Sequence, residues 1–167
     1  MKNLWSPWRS QYIESFKQEQ TKGKCIFCEA LDKDVDQIDN LLVHKSKSSI
    51  VLLNLYPYNN GHLMIVPKRH LDSVEKLTEE ESHELMDQII IAEKVLRKIY
   101  QPQGFNIGAN LGRAGGAGIE DHIHFHIVPR WNGDTNFMPV IGEVKVISQE
   151  LAETKTKLLT GYKELVK

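Results

Sequence analysis

The stretch DHIHFHIVPRW at residues 121–131 decides the fold. His122, His124 and His126 alternate there with isoleucine and phenylalanine. Because successive side chains of a β-strand point to opposite faces, this alternation predicts a strand over residues 122–128, with three imidazoles on one face and apolar side chains in the core. Three of the chain's seven histidines fall within five positions, so a solvated strand face that happens to use histidine is a weak explanation.

A glycine-rich loop, LGRAGGAG at residues 111–118, precedes this strand. Its glycines would let backbone N–H groups approach phosphate oxygens without obstruction by side chains. Such a loop alone is a weak signal, since most glycine loops merely turn the chain, but next to the histidines it favours phosphoryl chemistry. A neutral imidazole is a nucleophile that can form a labile bond to phosphorus. A hydrolytic zinc site, with the three histidines as ligands and one open position, remains the alternative.

The segments outside the histidine strand predict further strands and two helices. Apolar runs separated by the polar KSKSS indicate a hairpin, and Pro129 is expected to end the histidine strand. Thr78 followed by Glu81 matches a capping box, and apolar residues then recur at helical spacing until Pro102. The predicted class is α+β: a five-stranded antiparallel meander sheet with a long central helix and a C-terminal helix. Strands are expected over residues 41–44, 49–55, 62–67, 105–110 and 122–128.

The length and composition are those of one main domain. A chain of 167 residues with 41% hydrophobic content can bury a substantial single core. We expect an N-terminal helix and linker over residues 1–24, the main domain over residues 25–135, and an extension with a helix over residues 136–167. This extension supplies the C-terminal helix of the predicted fold.

The charge and hydropathy patterns exclude two classes of partner. Lysine and arginine number 21 against 22 aspartates and glutamates, so there is no overall positive field to hold a nucleic acid. No run approaches the roughly 20 apolar residues that cross a bilayer. The beginning of the chain, MKNLWSPWRSQYIESF, lacks the apolar stretch of a signal peptide. The expected location is therefore the cytoplasm, with neither a nucleic acid nor a membrane as partner.

The sequence resembles the histidine-triad (HIT) family. The family signature corresponds to HIHFHIV at residues 122–128, and NLYP, GHLMIVPK and NLGRAGGAG follow the family's order at residues 54–57, 61–68 and 110–118. LWSPWR at residues 4–9 and PRWNGDTNF at residues 129–137 are similar to the branch related to diadenosine tetraphosphate (Ap4A) phosphorylases. The resemblance implies a HIT-like fold and a homodimer.

The resemblance also implies roles for individual residues. His124, the middle histidine, would be the nucleophile that attacks an α-phosphate, His126 would contact the phosphate, and Asn110 would hold the phosphate or orient the site. Asn54 matches a position that binds ribose hydroxyls. The implied nucleotide-binding set is Ile26, Phe27, Leu52, Asn54, Leu55, Gly116, Ala117, Gly118 and His126.

Two cysteines, Cys25 and Cys28, are separated by two residues. In a reducing compartment this spacing favours metal binding or redox chemistry over a structural disulfide. A structural zinc needs two further ligands, and the residues alone offer His44, His62, His70 and the three clustered histidines. The resemblance implies His70 and His122, and so a zinc site formed by two cysteines and two histidines. A metal-free pair of thiols, with His70 merely on the surface, remains open.

The implied activity is that of an enzyme with a nucleotidyl-histidine intermediate, most simply a dinucleoside polyphosphate phosphorylase. Many hydrolytic members carry glutamine four residues before the first clustered histidine, where this chain has Gly118. The empty volume favours inorganic phosphate over water as the acceptor, unless the glycine only permits a tight turn. A nucleotide hydrolase of the same family, or a nucleotide sensor without catalysis, are the alternatives.

Overall fold

The computed structural model describes residues 25–135 and 147–166. In this part of the chain there are five strands, three α-helices and a 3-10 turn at Val74–Lys76. The strands are β1 (Leu42–Lys45), β2 (Ser49–Leu53), β3 (Leu63–Pro67), β4 (Gly104–Ala109) and β5 (Phe125–Arg130). The helices are α1 (Ile26–Ala30), α2 (Glu79–Tyr100) and α3 (Leu151–Leu165). The helix predicted within residues 1–24 lies outside the described residues, and the domain boundaries stay a prediction.

The strands form one antiparallel sheet in the order β1-β2-β3-β5-β4, which confirms the predicted five-stranded antiparallel sheet. The sequential meander holds only from β1 to β3. On one side β5 pairs with β3, where Ile127 lies opposite Leu63, and on its other side it pairs with β4, where Ile127 lies opposite Ile107. The 22 residues of α2 lie between β3 and β4. A connection of that length can pass over one strand position, which β5 then fills.

The last strand, β5, begins later and ends later than the sequence predicts. It starts at Phe125 and continues through Pro129 to Arg130, so Pro129 does not end it. The Pro129 carbonyl accepts a hydrogen bond from Asn59 Nδ2 at 3.0 Å. The proline nitrogen therefore faces the β3 side, where the pairing extends only as far as Ile127. Since no ladder hydrogen bond is required there, the missing N–H costs nothing.

Of the three clustered histidines, only His126 lies within a strand. His122 and His124 precede β5, and the N–H of Ile123 between them donates to the Leu71 carbonyl at 2.6 Å. The prediction of one continuous strand face is wrong for these two residues. Their rings still come together, because the centroids of His124 and His126 lie 4.9 Å apart.

The long helix α2 covers one face of the sheet. Its start is the predicted capping box, in which the Thr78 hydroxyl accepts from the Glu81 N–H and the Glu81 carboxylate accepts from the Thr78 N–H. It ends at Tyr100, because the next residue, Gln101, has a φ of 46° and stops the helix before Pro102. Neither α2 nor any other helix in the described part is long and apolar enough to cross a membrane. The buried stripe of α2 that packs on the strands is Leu85, Ile89, Ala92, Val95 and Leu96.

The C-terminal helix α3 packs on α2 and on the segment before β1. Gly161 allows the close approach, because a Cβ there would lie 2.8 Å from Ile99 Cδ1. Lys155 is only 1% exposed. Its ammonium group donates to the carbonyl oxygen of Asn40 at 3.0 Å and to that of Gln37. This lysine therefore fastens residues 37–40 to α3.

The short helix α1 covers the opposite face of the sheet. Met64 of β3 lies opposite His126 of β5, so the His126 side chain faces this α1 layer. The residues of β2 and β3 that point here alternate with those that pack on α2. The buried apolar cluster on this face is Phe27, Ala30, Leu42, Ile50, Leu52, Met64 and Val66.

Candidate active site

His124, the expected nucleophile, lies immediately before β5 and is 5% exposed. Its Nδ1 lies 3.0 Å from the carbonyl oxygen of His122. A carbonyl oxygen only accepts hydrogen bonds, so Nδ1 carries the proton and Nε2 keeps its lone pair in the neutral ring. Burial lowers the pKa of His124 below its usual value, which favours the neutral ring near neutral pH. This is the protonation state that a nucleophilic imidazole requires.

A chain of hydrogen bonds places the proton of His126 on Nε2, whereas that of His124 is on Nδ1. The N–H of Tyr58 donates to Nδ1 of His62 at 3.1 Å, so the proton of neutral His62 sits on Nε2. That Nε2 lies 3.0 Å from Nδ1 of His126. His126 Nδ1 therefore accepts, and Nε2 of the neutral ring carries an N–H. Burial, and then the neighbouring His124, lower the pKa of His126 to about 4, so the ring is a neutral hydrogen-bond donor.

Sequence reasoning missed the role of His62, which it considered only as a possible zinc ligand. His62 is 0% exposed. It immediately precedes β3, and its carbonyl accepts from the Asn54 N–H at 3.0 Å, which continues the pairing with the chain after β2. Because side chains alternate along an extended chain, His62 shares the face of Met64, which lies opposite His126. The pairing of β3 with β5 is the signal that would have found it, and that pairing depends on the strand order.

A cavity of about 260 Å³ opens beside these histidines, with largely apolar walls. Of the residues expected to bind the nucleotide, all but Ala117 line it, together with His124 and Asn110. Asn54 on the wall is buried, and its Oδ1 accepts from the Tyr56 N–H at 2.9 Å, which leaves the amide NH₂ available as a donor. We call this space the nucleotide cavity. Its lining includes Ile26, Phe27, Leu52, Asn54, Leu55, Gly116, Gly118 and His126.

The glycine-rich loop is held together by its own backbone. The N–H of Gly116 donates to the Arg113 carbonyl at 3.0 Å, and that of Ala117 donates to the Gly112 carbonyl at 3.2 Å. Asn110 Nδ2 donates to the Gly116 carbonyl at 3.3 Å. Two of the N–H groups expected to cradle phosphate are thus already used within the loop. Asn110 orients the loop and also lines the nucleotide cavity.

Four side chains form a compact cluster between α1 and the residues before β5: Cys25, Cys28, His70 and His122. Their ligand atoms all lie within 4.8 Å of one another. Cys25 Sγ is 3.3 Å from His122 Nδ1, and Cys28 Sγ is 3.3 Å from His70 Nδ1. Zinc bonds of about 2.1–2.3 Å imply ligand separations of roughly 3.6 Å around a tetrahedron, so these distances fit a metal site.

The protonation of the cluster also suits a cation. His122 Nε2 lies 2.8 Å from the Pro67 carbonyl, which can only accept, so the lone pair of Nδ1 faces the sulfur atoms. Burial and the adjacent Cys25 raise the pKa of Cys28 to about 11, and a nearby cation is what stabilises two thiolates in such a place. The other histidines that the sequence offered lie elsewhere, since His62 contacts His126 and the His44 ring stacks on Tyr162.

The cluster and the candidate nucleophile are joined through His122. The side chain of His122 belongs to the cluster, while its backbone carbonyl orients the His124 ring. Phe27 of α1 contacts both rings, with centroids 5.4 Å from His122 and 4.9 Å from His124. The orientation of the His124 ring therefore depends on how the cluster holds α1 against residues 122–124, which precede β5.

A family model described as the HIT domain matches residues 35–133. The chain belongs to the HIT family. Among the relatives of this HIT protein is one named AP-4-A phosphorylase, from Mycobacterium tuberculosis (strain CDC 1551 / Oshkosh). The two are 39% identical over 165 residues, which cover 97% of this chain and 85% of the relative.

Two solved structures share the HIT fold of this chain. A Zn-bound histidine triad family protein from Mycobacterium smegmatis superposes with a TM-score of 0.67 at 22% identity, covering 86% of this chain and 96% of the other. A hypothetical histidine triad nucleotide-binding protein from Sulfolobus tokodaii strain 7 gives a TM-score of 0.67 at 23% identity, covering 84% of this chain and 93% of the other. At these identities the likeness establishes the fold.

Proposed function

We propose that this protein is a nucleotidyltransferase of the Ap4A phosphorylase type, with dinucleoside polyphosphates as substrates. The hydrogen bond from His124 Nδ1 to the His122 carbonyl carries the proposal, because it places the proton of the neutral ring on Nδ1 and leaves the lone pair on Nε2, beside a cavity suited to a nucleoside. The relative named AP-4-A phosphorylase, which shares 39% of its aligned residues, supports the choice of substrate.

The reaction would proceed in two displacements at the α-phosphorus. In the first, Nε2 of His124 forms a bond to phosphorus, and the bond from phosphorus to the leaving oxygen breaks, so that ATP departs with the electron pair. The N–H on Nε2 of His126 would donate to the phosphoryl oxygens as their charge develops. In the second, an oxygen of inorganic phosphate attacks the same phosphorus, the nitrogen bond breaks, and ADP and free His124 result.

The choice of acceptor rests on Gly118, which lines the nucleotide cavity without a side chain. Without a side chain at this position, access to the intermediate stays open to an attacking anion, which supports inorganic phosphate as the acceptor. Water in the same position would give AMP, which is the hydrolase alternative. A protein that binds nucleotide but forms no intermediate would be a sensor.

We also propose that the cluster of Cys25, Cys28, His70 and His122 holds a structural zinc ion. The donor set of two sulfurs and two imidazole nitrogens, at separations suited to a tetrahedron, supports it, as does the Zn-bound fold relative. Zinc would stabilise the two thiolates. Because all four positions are taken by protein ligands, the site suits a structural role better than an open catalytic one.

A homodimer and a cytoplasmic location complete the proposal. Strand β4 is an edge of the sheet, and its exposed residues include Ile107 at 46%. Met86 and Ile90 are likewise exposed on α2. An edge with free backbone groups next to apolar side chains suits pairing with a second copy. Cys25 and Cys28 form no disulfide, and reduced cysteines suit a reducing compartment.

The decisive experiment follows Ap4A with and without phosphate. Phosphate-dependent formation of ADP plus ATP supports phosphorolysis, whereas AMP plus ATP, or two ADP, formed without phosphate indicates hydrolysis. The substitution His124→Ala should lower turnover by at least about 10³-fold while AMP still binds, and His83→Ala, at an exposed position of α2, serves as the control. Binding of AMP without turnover by the unmodified protein would make it a sensor, and a His124→Ala variant that keeps most of its activity would remove the proposed nucleophile.

A further inference from the structure

A second cavity, of about 360 Å³, adjoins the nucleotide cavity. Tyr58, Asn110 and His126 line both spaces, whereas His124 lines only the nucleotide cavity. We call the second space the polar cavity because amide, hydroxyl and guanidinium groups contribute to its wall. Its other lining residues include Asn59, Asn106, Gly108 and Arg130.

Arg130 is held rigidly at the wall of the polar cavity. Its Nε and Nη2 donate to the two carboxylate oxygens of Asp134 at 2.6 and 2.8 Å, and its Nη1 donates to Asn106 Oδ1 at 2.6 Å. Asn59 Nδ2 donates to the same carboxylate at 2.7 Å, which fixes the pair further. These bonds use three of the five N–H groups of a guanidinium, so two have no hydrogen-bond partner among the described residues and can donate to a ligand. Asp134 offsets the charge, and recognition here would depend on directed N–H donors.

Gly108 makes the space beside His126. It lies directly opposite His126 in the pairing of β4 with β5, and a Cβ built on it meets no atom of residues 25–135 or 147–166 within 4 Å. Its backbone does not adopt the left-handed conformation, which among the described glycines is confined to positions 61, 112, 116 and 133. The strand therefore does not require glycine here. Because Gly108 has no side chain, there is open volume next to the His126 ring, which lines both cavities.

We propose that the polar cavity binds the phosphoryl anions that leave and attack: the polyphosphate of the departing nucleotide and the acceptor phosphate. The proposal rests on the proposed function. In displacement at phosphorus the nucleophile and the leaving oxygen lie roughly in line on opposite sides. The nucleoside and His124 share the nucleotide cavity, so the departing chain extends past His126 into the adjoining space. Inorganic phosphate would enter by the same route in the second step, since it attacks from the side that the leaving group vacated.

The substitution Gly108→Val tests this by filling the polar cavity with a side chain suited to a strand. Gly104→Val is the matched control, because Gly104 is on the same strand, also has open space at its Cβ, and does not line the cavity. Each variant is assayed with Ap4A and with adenosine 5′-phosphoramidate, whose leaving group is only ammonia. Gly108→Val should lower kcat/KM for Ap4A at least tenfold more than kcat/KM for the phosphoramidate.

Two further arms separate the two anions. Single-turnover cleavage of Ap4A without phosphate reports on the leaving chain, and the phosphate concentration needed to discharge the adenylylated protein reports on the acceptor. In Gly108→Val the single-turnover rate should fall at least tenfold, and the phosphate concentration needed for discharge should rise at least tenfold. In Gly104→Val both should stay near the values of the unmodified protein. A defect in one arm only would overturn the shared role, and equal losses for both substrates, or equal losses in both variants, would overturn the subsite.

A binding measurement keeps the test independent of catalysis. Tripolyphosphate binding to the AMP-loaded protein is measured by calorimetry for the unmodified chain and both variants. At least tenfold weaker binding in Gly108→Val alone supports the subsite even if neither substrate is turned over, an outcome that would refute only the proposed function. Unchanged tripolyphosphate binding in Gly108→Val would refute the subsite.

Discussion

Two backbone groups set the proton positions of the histidines at this site. The His122 carbonyl places the proton of His124 on Nδ1, and the Tyr58 N–H, acting through His62, places the proton of His126 on Nε2. Neutral His124 is thereby left with a lone pair on Nε2, and neutral His126 with an N–H donor on Nε2. The proposed nucleophile, His124, and the proposed phosphate contact, His126, are the same type of residue. They differ in the hydrogen-bond partner of Nδ1, which is a carbonyl oxygen for His124 and the Nε2–H of His62 for His126.

Residue 62 gives the test of this arrangement. His62→Phe keeps an aromatic ring in the buried position but removes the donor to His126, so we expect kcat to fall by about 10²-fold through misorientation. His62→Gln retains an amide N–H that can reach His126 Nδ1 and should recover part of kcat. Steady-state kinetics with Ap4A and AMP binding by calorimetry provide the readouts. Equal kcat in the two variants, or a loss that tracks thermal stability alone, would show a purely structural role.

At the residue level the structure brings most of the expected site residues together, but the sequence does not indicate their hydrogen bonds. Ile26, Phe27 and Asn54 all line one cavity with His124, and their roles toward a nucleotide stay proposals. Ala117 does not line the cavity, and its N–H is used inside the loop. A motif indicates that a loop is near a ligand, but which N–H groups remain free depends on its internal turns.

Among the elements, the short helix α1, of five residues, positions the rings at the candidate active site. It carries Phe27 against the rings of His122 and His124, and it begins directly after Cys25. The Cys and His cluster and the apolar cluster around Phe27 join α1 to the sheet and to the residues before β5. Loss of the cluster should therefore loosen α1 and the nucleophile together.

The substitution Cys25→Ser tests that link. Zinc content should fall well below one ion per chain, and Tm should drop by about 10 °C, since loss of roughly 3 kcal/mol moves Tm by that amount in a domain of this size. Inductively coupled plasma analysis and thermal unfolding measure the two effects, with His83→Ala as control. Protein purified without chelators that contains no zinc, or a variant with normal zinc, would contradict the proposed site.

The elements themselves were largely predictable, but their neighbours in the sheet were not. The capping box at Thr78 and the apolar repeat gave α2 from local signals. Alternation in β5 gave the face of His126 but not the strand order, because a period of two says which side a residue faces and nothing about which strand lies beside it. His122 and His124 fell outside β5 for a related reason, since alternation also occurs in extended segments that pair with no strand.

At the scale of the molecule, the exposed edge β4 is the expected contact between two copies. Ile107 sits near the middle of this strand, so pairing across a two-fold axis would bring the two copies of residue 107 close together. Ile107→Lys should weaken the dimer at least tenfold, about 1.4 kcal/mol, because like charges would meet at the axis. Ile38→Lys is a matched control, since the two isoleucines are 46% and 44% exposed.

Analytical ultracentrifugation over a concentration series measures the effect. We expect the unmodified chain and Ile38→Lys to sediment as dimers at concentrations where Ile107→Lys sediments as a monomer. A monomeric unmodified chain would refute the dimer. A dimer that persists unchanged in Ile107→Lys would place the contact on another surface.

The buried ammonium group of Lys155 makes the rim of the nucleotide cavity depend on a helix that is translated after the sheet. It binds the carbonyls of Gln37 and Asn40, from which it is separated by 118 and 115 residues, and Asn40 lines the cavity. Contacts so distant along the chain form late in folding, because the loop between them must first close. A nascent chain can build β1, β2 and β3 on the ribosome well before residue 155 has been translated. We therefore expect the rim of the nucleotide cavity at Asn40 to be ordered only after residue 155 has been translated and α3 has docked.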